Sequence, residues 1–303
     1  MQLDLMRLFV DVADSGSFSR AAIERGKAQS GVSRQISQLE RECGAALFQR
    51  TGRGVVLTDA GQRILPRVRA WLAASDALDA DIKASSGHVC GVVRLGVLPP
   101  AAHPLATEVF RRTRSEHPGI RLRITEPGSQ LDAWMDSGRL DIAVLFRYRA
   151  LASNERALAV TDTYLVSAPG AEQTCNATVE FARLAGLPLC LPARQSGLRD
   201  SVEDIARRKR LPLNIAVEAN SLAFQQGAVL EGLCFSLMSP YSCMREVRAG
   251  RMQAARVVQP RIRRTLALVT STHGPLSLAC RTVMRLIEEI FARDQHRWMP
   301  PIG

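Results

Sequence analysis

The chain has 303 residues, 46% of them hydrophobic and 23% charged, and its 40 Lys and Arg against 29 Asp and Glu give a formal net charge of +11. That length accommodates two domains with cores of their own, and the basic balance suits a polyanionic partner. A membrane span, a secretion signal, a disulfide scaffold and a zinc site are all disfavoured. No apolar run is long enough, the N-terminus lacks a basic-then-apolar layout, and the seven cysteines are scattered without a Cys-x-x-Cys pair, so a reducing cytoplasm is expected.

The surplus charge is not where the first domain lies. Residues 1–58 hold 8 basic and 6 acidic side chains, and residues 59–90 hold 4 of each. Any grip on a polyanion there must come from the placement of a few arginines. Leu5, Leu8, Phe9 and Val12 predict the inner face of a first helix. Ser17 is a helix-capping residue for a second, with Phe18, Ala21 and Ala22 on one face. Arg25-Gly26-Lys27 supplies a turn, and in the helix that follows Val32, Ile36 and Leu39 recur at i, i+4 and i+7. The helical period puts Ser30, Arg34, Ser37 and Arg41 on the opposite face, flanked by Ser33 and Gln38. A face kept polar only for solubility favours Glu and Lys pairs, whereas serine, glutamine and arginine are suited to base edges and phosphates. Leu47 and Phe48 anchor the domain, and RTGRGVVLT over residues 50–58 predicts a hairpin from which Arg50 and Arg53 project. Thr58 is placed to cap a long helix with an apolar stripe of Leu65, Val68, Leu72, Leu78 and Ile82, Trp71 beside it, and a kink or break at Pro66. The pattern stops at Ser85-Ser86-Gly87, a hinge.

Two stretches, LMRLFVDVADSGSFSRAA and VSRQISQLERECGAALFQRTGRGVVLTDAG, resemble the winged helix-turn-helix of LysR-type transcriptional regulators. The resemblance implies double-stranded DNA as partner, read at a pseudo-palindromic site through Ser17, Gln29, Ser30, Ser33, Arg34, Ser37, Gln38, Arg50 and Arg53. It implies that the long helix pairs with its twin in a dimer, that dimers associate into a tetramer, and that RNA polymerase is a partner. One departure stands out: the family usually shows Ser-Gln-Pro where this chain has Ala28-Gln29-Ser30. The capping serine and helix-starting proline are both missing, and Ser30 taking the cap would start the helix later.

Beyond the hinge, strand and helix patterns alternate. Strands are expected over 92–97, 120–124, 140–146, 188–191, 213–217, 232–238 and 265–270, with helices over 105–114, from 131, and over 276–293. Such alternation implies parallel sheets with covering helices. GRLDIAVLF and AGLPLCLPARQSGLR carry a similarity to the two-lobed, periplasmic-binding-protein-like effector domain of the family, nearest the subgroup that includes nitrogen-assimilation regulators. The expected fold is thus a mainly α winged helix-turn-helix over 1–58, a linker helix and hinge over 59–89, and an α/β effector domain over 90–303. Its lobe I takes 90–161 and 267–303, and its lobe II takes 162–266.

Ligands of open parallel sheets sit at the carboxyl ends of strands beside helix N-termini, which nominates Pro100, Ala101, Ser129, Phe146, Arg147, Arg194, Ser196, Arg199 and Ser221. Arg147, Arg194 and Arg199 favour a small anionic effector. Relatives commonly offer a hydroxyl near Ala101, and the helix between Ser129 and Gly138 is about a residue short. Both departures leave room for an effector-independent regulator whose second domain only oligomerises. None of the five histidines lies in a catalytic motif, so no enzyme, metal or cofactor is expected.

Overall fold

The computed structural model describes residues 2–52, 54–84, 89–99, 105–126, 128–194 and 196–293. Arg53, the 85–87 hinge, Pro100 and Ala101 lie outside the described residues.

The first domain is built from α1 (Leu3–Ser15), α2 (Phe18–Glu24), α3 (Gln29–Cys43) and a hairpin of β1 (Phe48–Thr51) with β2 (Gly54–Leu57). Leu8, Phe9, Val12, Ala21, Val32, Ile36 and Leu39 close one core, so the three apolar stripes meet. Ser17 caps α2 by accepting the Arg20 N–H, and Gly26 takes a left-handed φ of 63° in the turn to α3. Helix α3 begins at Gln29 with Ala28 as an N-cap that has no side-chain bond, so Ser30 does not delay its start. The hairpin is held to α3 by a carboxylate. Glu40 accepts the backbone N–H groups of Leu47 (2.8 Å) and Phe48 (3.0 Å), which fixes the root of β1 against the helix.

Helix α4 (Asp59–Ala84) runs on from the hairpin, with Thr58 Oγ1 accepting the Gly61 N–H as its cap. It continues through Pro66, where a kink or a break was expected, without a break. Nor is its apolar stripe one surface. Leu65, Val68 and Leu72 join the core of the first domain, and the buried side then passes to Ala77 and Ala80. Leu78 and Ile82 turn outward, each 63% exposed, with Trp71 41% exposed.

Lobe I is a five-stranded sheet in the order β4 (Ile120–Thr125), β3 (Gly91–Val97), β5 (Ile142–Arg147), β13 (Arg263–Thr270), β6 (Glu155–Asp162). Helices α5 (Thr107–Glu116) and α10 (Leu278–Arg293) cover one face, and α6 (Leu131–Asp136) covers the other. Lobe II is a six-stranded sheet in the order β10 (Asn214–Glu218), β9 (Pro188–Leu191), β11 (Phe235–Met238), β7 (Tyr164–Ser167), β12 (Gln253–Val258), β8 (Thr178–Glu180). It packs α7 (Gly197–Lys209) on one face and α8 (Leu222–Leu230) and α9 (Pro240–Arg248) on the other.

The expectation of parallel sheets is corrected. β13 runs antiparallel to both β5 and β6, and β7 antiparallel to both β11 and β12. The physical reason is the double crossing between lobes: the chain leaves lobe I after β6 and returns through β13, so one strand per sheet must run backwards. β13 already begins at Arg263, ahead of the 267 boundary expected for the return to lobe I.

Candidate functional site

Three places collect the candidate side chains: the outer face of α3, the junction of α1 and α4 with lobe I, and the cleft between lobes. On α3, burial of Val32, Ile36 and Leu39 fixes the rotation of the helix, which leaves Gln29, Ser30, Arg34, Ser37 and Gln38 exposed and Ser33 half-buried. Arg34 folds its Nε onto the Ser30 carbonyl (3.3 Å), and Gln38 donates to Glu42 (3.0 Å). Arg50 of the hairpin lies 5.7 Å over the Phe18 ring and donates to Ser33 Oγ (3.3 Å). One polar surface therefore runs from the N-terminus of α2 through α3 to the hairpin. Arg20 and Lys27, exposed at its rim, were not singled out from the sequence because neither falls on the α3 face.

At the junction, Asp14 in the last turn of α1 pairs with two arginines, Arg69 of α4 and Arg139 of lobe I. Arg69 is 3% exposed and also donates to the Ser137 carbonyl (2.7 Å), so one carboxylate and one guanidinium tie three elements together. Burial lowers the Arg69 pKa to about 10 against the pull of Asp14, which leaves it cationic at neutral pH. A cavity of about 980 Å³ surrounds this point, and charges pair across its walls, Arg7 with Asp76 and Arg25 with Asp11, both at 2.5 Å. These mutual pairs make it an inter-domain seam rather than a ligand pocket.

In the cleft, two of the three arginines nominated for an anion are corrected. Arg147 donates to Asp132 (2.6 and 3.0 Å) and Glu155 (2.7 Å), while Arg199, 3% exposed, is spent on Glu203 (2.6 Å), Glu218 (3.0 Å) and the Pro192 carbonyl (3.1 Å). Both are structural ion pairs. Arg194 is exposed. Ser196 and Ser221 occupy the N-caps of α7 and α8, the latter accepting the Phe224 N–H, and Ser129 lies in a short 3-10 turn over Gly128–Gln130.

Phe146 lies under a side chain the sequence reading passed over: the Arg264 guanidinium sits 4.6 Å above its ring centroid. Arg264 is 5% exposed and donates through Nη1 to Tyr148 Oη (2.9 Å). Strand parity was the available signal, since Arg264, Leu266 and Leu268 share one face of β13 and an arginine on a buried face needs a reason. The lobes interlock around this point. Tyr148 of lobe I packs into the lobe II core, Tyr241 of lobe II packs against the lobe I core, and Gly197 leaves room for the Tyr148 ring, 2.7 Å from where a Cβ would stand.

Burial pushes Cys190 and Cys280 up to about 11 and Cys243 up to about 12, so these thiols stay protonated at neutral pH. All seven are free.

Residues 3–62 match the bacterial regulatory helix-turn-helix domain of the lysR family, and residues 86–292 match the LysR substrate binding domain. The chain belongs to the LysR family. It is a LysR-type transcriptional regulator, built on a fold that carries DNA binding in one domain and effector binding in the other. A probable hydrogen peroxide-inducible genes activator of Mycobacterium avium is 30% identical, with 96% of this chain and 94% of the relative covered. The nitrogen assimilation regulatory protein nac of Klebsiella aerogenes is 27% identical over 97% of this chain and 96% of its own. These relatives are regulators rather than enzymes, as expected from the sequence. A full-length OxyR variant from Pseudomonas aeruginosa superposes with a TM-score of 0.73 at 20% identity, covering 95% of this chain and 97% of its own. CbnR, another LysR family regulator, does so with a TM-score of 0.64 at 17% identity, covering 95% and 99%.

Proposed function

We propose that this LysR-type regulator acts in the cytoplasm as a dimer, assembled further into a tetramer, that lays two copies of α3 into successive major grooves and relays effector state to RNA polymerase. The observation that supports the DNA-reading assignment best is the α3 surface: its buried stripe sets the rotation, and its exposed face is serine, glutamine and arginine abutted by Arg50. Exposed Trp71, Leu78 and Ile82 on α4 support pairing of two linker helices, since a single copy gives them nothing to cover. For small-molecule control we assign the cleft around Phe146 and Arg264, with Ser196 and Ser221 at the neighbouring helix N-termini. Effector bound there biases how the lobes sit. The Asp14–Arg69–Arg139 seam then carries that bias from lobe I to α1, provided the ligand binds the two arrangements unequally. No described helix is long and apolar enough to cross a membrane, in keeping with a soluble site of action.

Selection of genomic fragments on the purified regulator should yield a short inverted repeat. On that site Arg34→Ala is expected to weaken binding by about 1–3 kcal/mol and to relax preference at one base position. Arg50→Ala should weaken binding to all sequences alike and flatten its salt dependence. Fragment capture without any motif, or two variants indistinguishable from wild type, defeats the assignment. For the linker, the double substitution Leu78→Glu, Ile82→Glu should give monomers in sedimentation equilibrium at concentrations where wild type is dimeric, and a dimer that survives it places the interface elsewhere.

A further inference from the structure

Arg264 carries a cation into the interior with two of its three guanidinium nitrogens unpartnered. Nη1 is engaged by Tyr148, but Nε and Nη2, both buried, have no hydrogen-bond partner, and no carboxylate lies within ion-pair distance among the described residues. Nε–H and one Nη2–H point the same way within the guanidinium plane, so the free edge is a complete two-pronged fork, the geometry that matches the two oxygens of a carboxylate. A second orphan borders the same ring. Tyr241 Oη is buried without a partner, and its ring lies 6.3 Å from that of Phe146. Tyr241 is the second residue of α9, where the helix dipole adds positive potential. Folding does not leave two such donors idle without cost, because each has lost water and gained no acceptor.

We infer that the inter-lobe cleft takes a small carboxylate with an apolar body, its two oxygens held by the Arg264 fork and one of them by the Tyr241 hydroxyl, with Phe146 as the apolar wall. The inference rests on the assignment of the cleft as the effector site and adds the chemical class of the ligand. Because Arg264 belongs to lobe I and Tyr241 to lobe II, one anion bridges the lobes. Its binding removes the cost of two orphaned donors only when the lobes are together. The carboxylate therefore favours the closed arrangement over the open one, which is the differential affinity that a switch requires.

The test uses the full chain and five probes: acetate, benzoate, the neutral acetamide and benzamide, and inorganic phosphate as an anion that is not a carboxylate. Calorimetric titration and thermal melting are run on wild type, Arg264→Met and Tyr241→Phe. Benzoate is expected to bind wild type and raise its melting temperature, acetate more weakly, and the amides little. Arg264→Met should lose affinity for benzoate by about tenfold or more while still binding the selected DNA site, and Tyr241→Phe should lose it severalfold. An unchanged benzoate response in Arg264→Met overturns the inference, as does a wild type that answers to neither carboxylate. Benzamide binding as well as benzoate also overturns it, yet leaves the cleft standing as an effector site for neutral ligands. Phosphate binding as tightly as benzoate removes the carboxylate assignment in favour of anions at large.

Discussion

Replacing Glu155 by Gln should lower the unfolding free energy of the C-terminal domain by about 2–4 kcal/mol at neutral pH. Its side chain is 2% exposed and accepts from four donors: Arg147 Nε at 2.7 Å, Arg149 Nη2 at 2.9 Å, Arg149 Nη1 at 3.0 Å and the Ala152 N–H at 2.9 Å. The amide keeps the volume but loses the charge, and its NH₂ turns a donor toward donors. Arg147, with its side chain 10% exposed, is left with Asp132 as its only carboxylate. The figure stays below the full cost of breaking a buried pair because Arg149 and Asp132 reach solvent, at 56% and 60% exposed. Burial alone would raise the Glu155 pKa. The bonds from Arg149, Ala152 and Arg147 outweigh it, and the folded value lies below the ordinary one. The folded state thus holds its proton less tightly than the unfolded chain. The stabilisation is complete above the ordinary glutamate pKa of about 4.3 and is lost as pH falls through the lower folded value. Urea midpoints measured at pH 7 and again in acid should show a gap between wild type and Glu155→Gln that closes on acidification. A variant that melts like wild type at pH 7 would remove this cluster from the forces that hold the end of β5 at the cleft.

Glu155 also marks the limit of what the sequence discloses. The first domain was legible because its signals are local: Ser17 is three residues from the N–H it caps, and Val32, Ile36 and Leu39 are one helical stripe. Lobe II was less so. β7 has four residues and β8 three, too few for an alternating pattern to rise above chance, and both went unassigned, as did β12 and, in lobe I, β6. Strand direction is set by which lobe the chain is returning to, information that no window of residues contains. The arginines show the same limit in charge. Arg199 finds Glu203 one helical turn on, which spacing suggests, but Glu218 comes from β10 and Asp132 reaches Arg147 from α6. In Arg263-Arg264 the adjacent side chains are indistinguishable by composition, and only the parity of β13 sends one to solvent and the other over Phe146.

The same swap made at two helical glycines should move stability in opposite directions. Gly227→Ala in α8 meets nothing within 4 Å and is expected to gain up to about 1 kcal/mol, since alanine loses less backbone entropy on entering a helix. Gly61→Ala in α4 should instead cost about 2–4 kcal/mol. A Cβ there would stand 2.3 Å from the Leu47 carbonyl oxygen and 2.9 Å from Leu57 Cδ2. Backbone cannot rotate away as a long side chain can, so α4 must move off the root of the hairpin. That carbonyl accepts the Thr58 N–H (3.0 Å), and Thr58 Oγ1 donates to the Ala46 carbonyl (2.7 Å) while capping Gly61 (3.1 Å). All three bonds lie in the path of the displacement. The functional consequence follows from the lever arm: α4 spans 26 residues, and a small change of angle at its first turn shifts the far end, with Leu78 and Ile82, by several ångströms. Two recognition helices joined through that end would no longer match the spacing of two half-sites. Gly61→Ala protein should therefore lose more affinity for the full inverted repeat than for a single half-site, read side by side in fluorescence anisotropy, while Gly227→Ala leaves both unchanged. If Gly61→Ala melts above wild type as Gly227→Ala does, the contact with Leu47 is not what sets the angle between the linker helix and the DNA-reading domain.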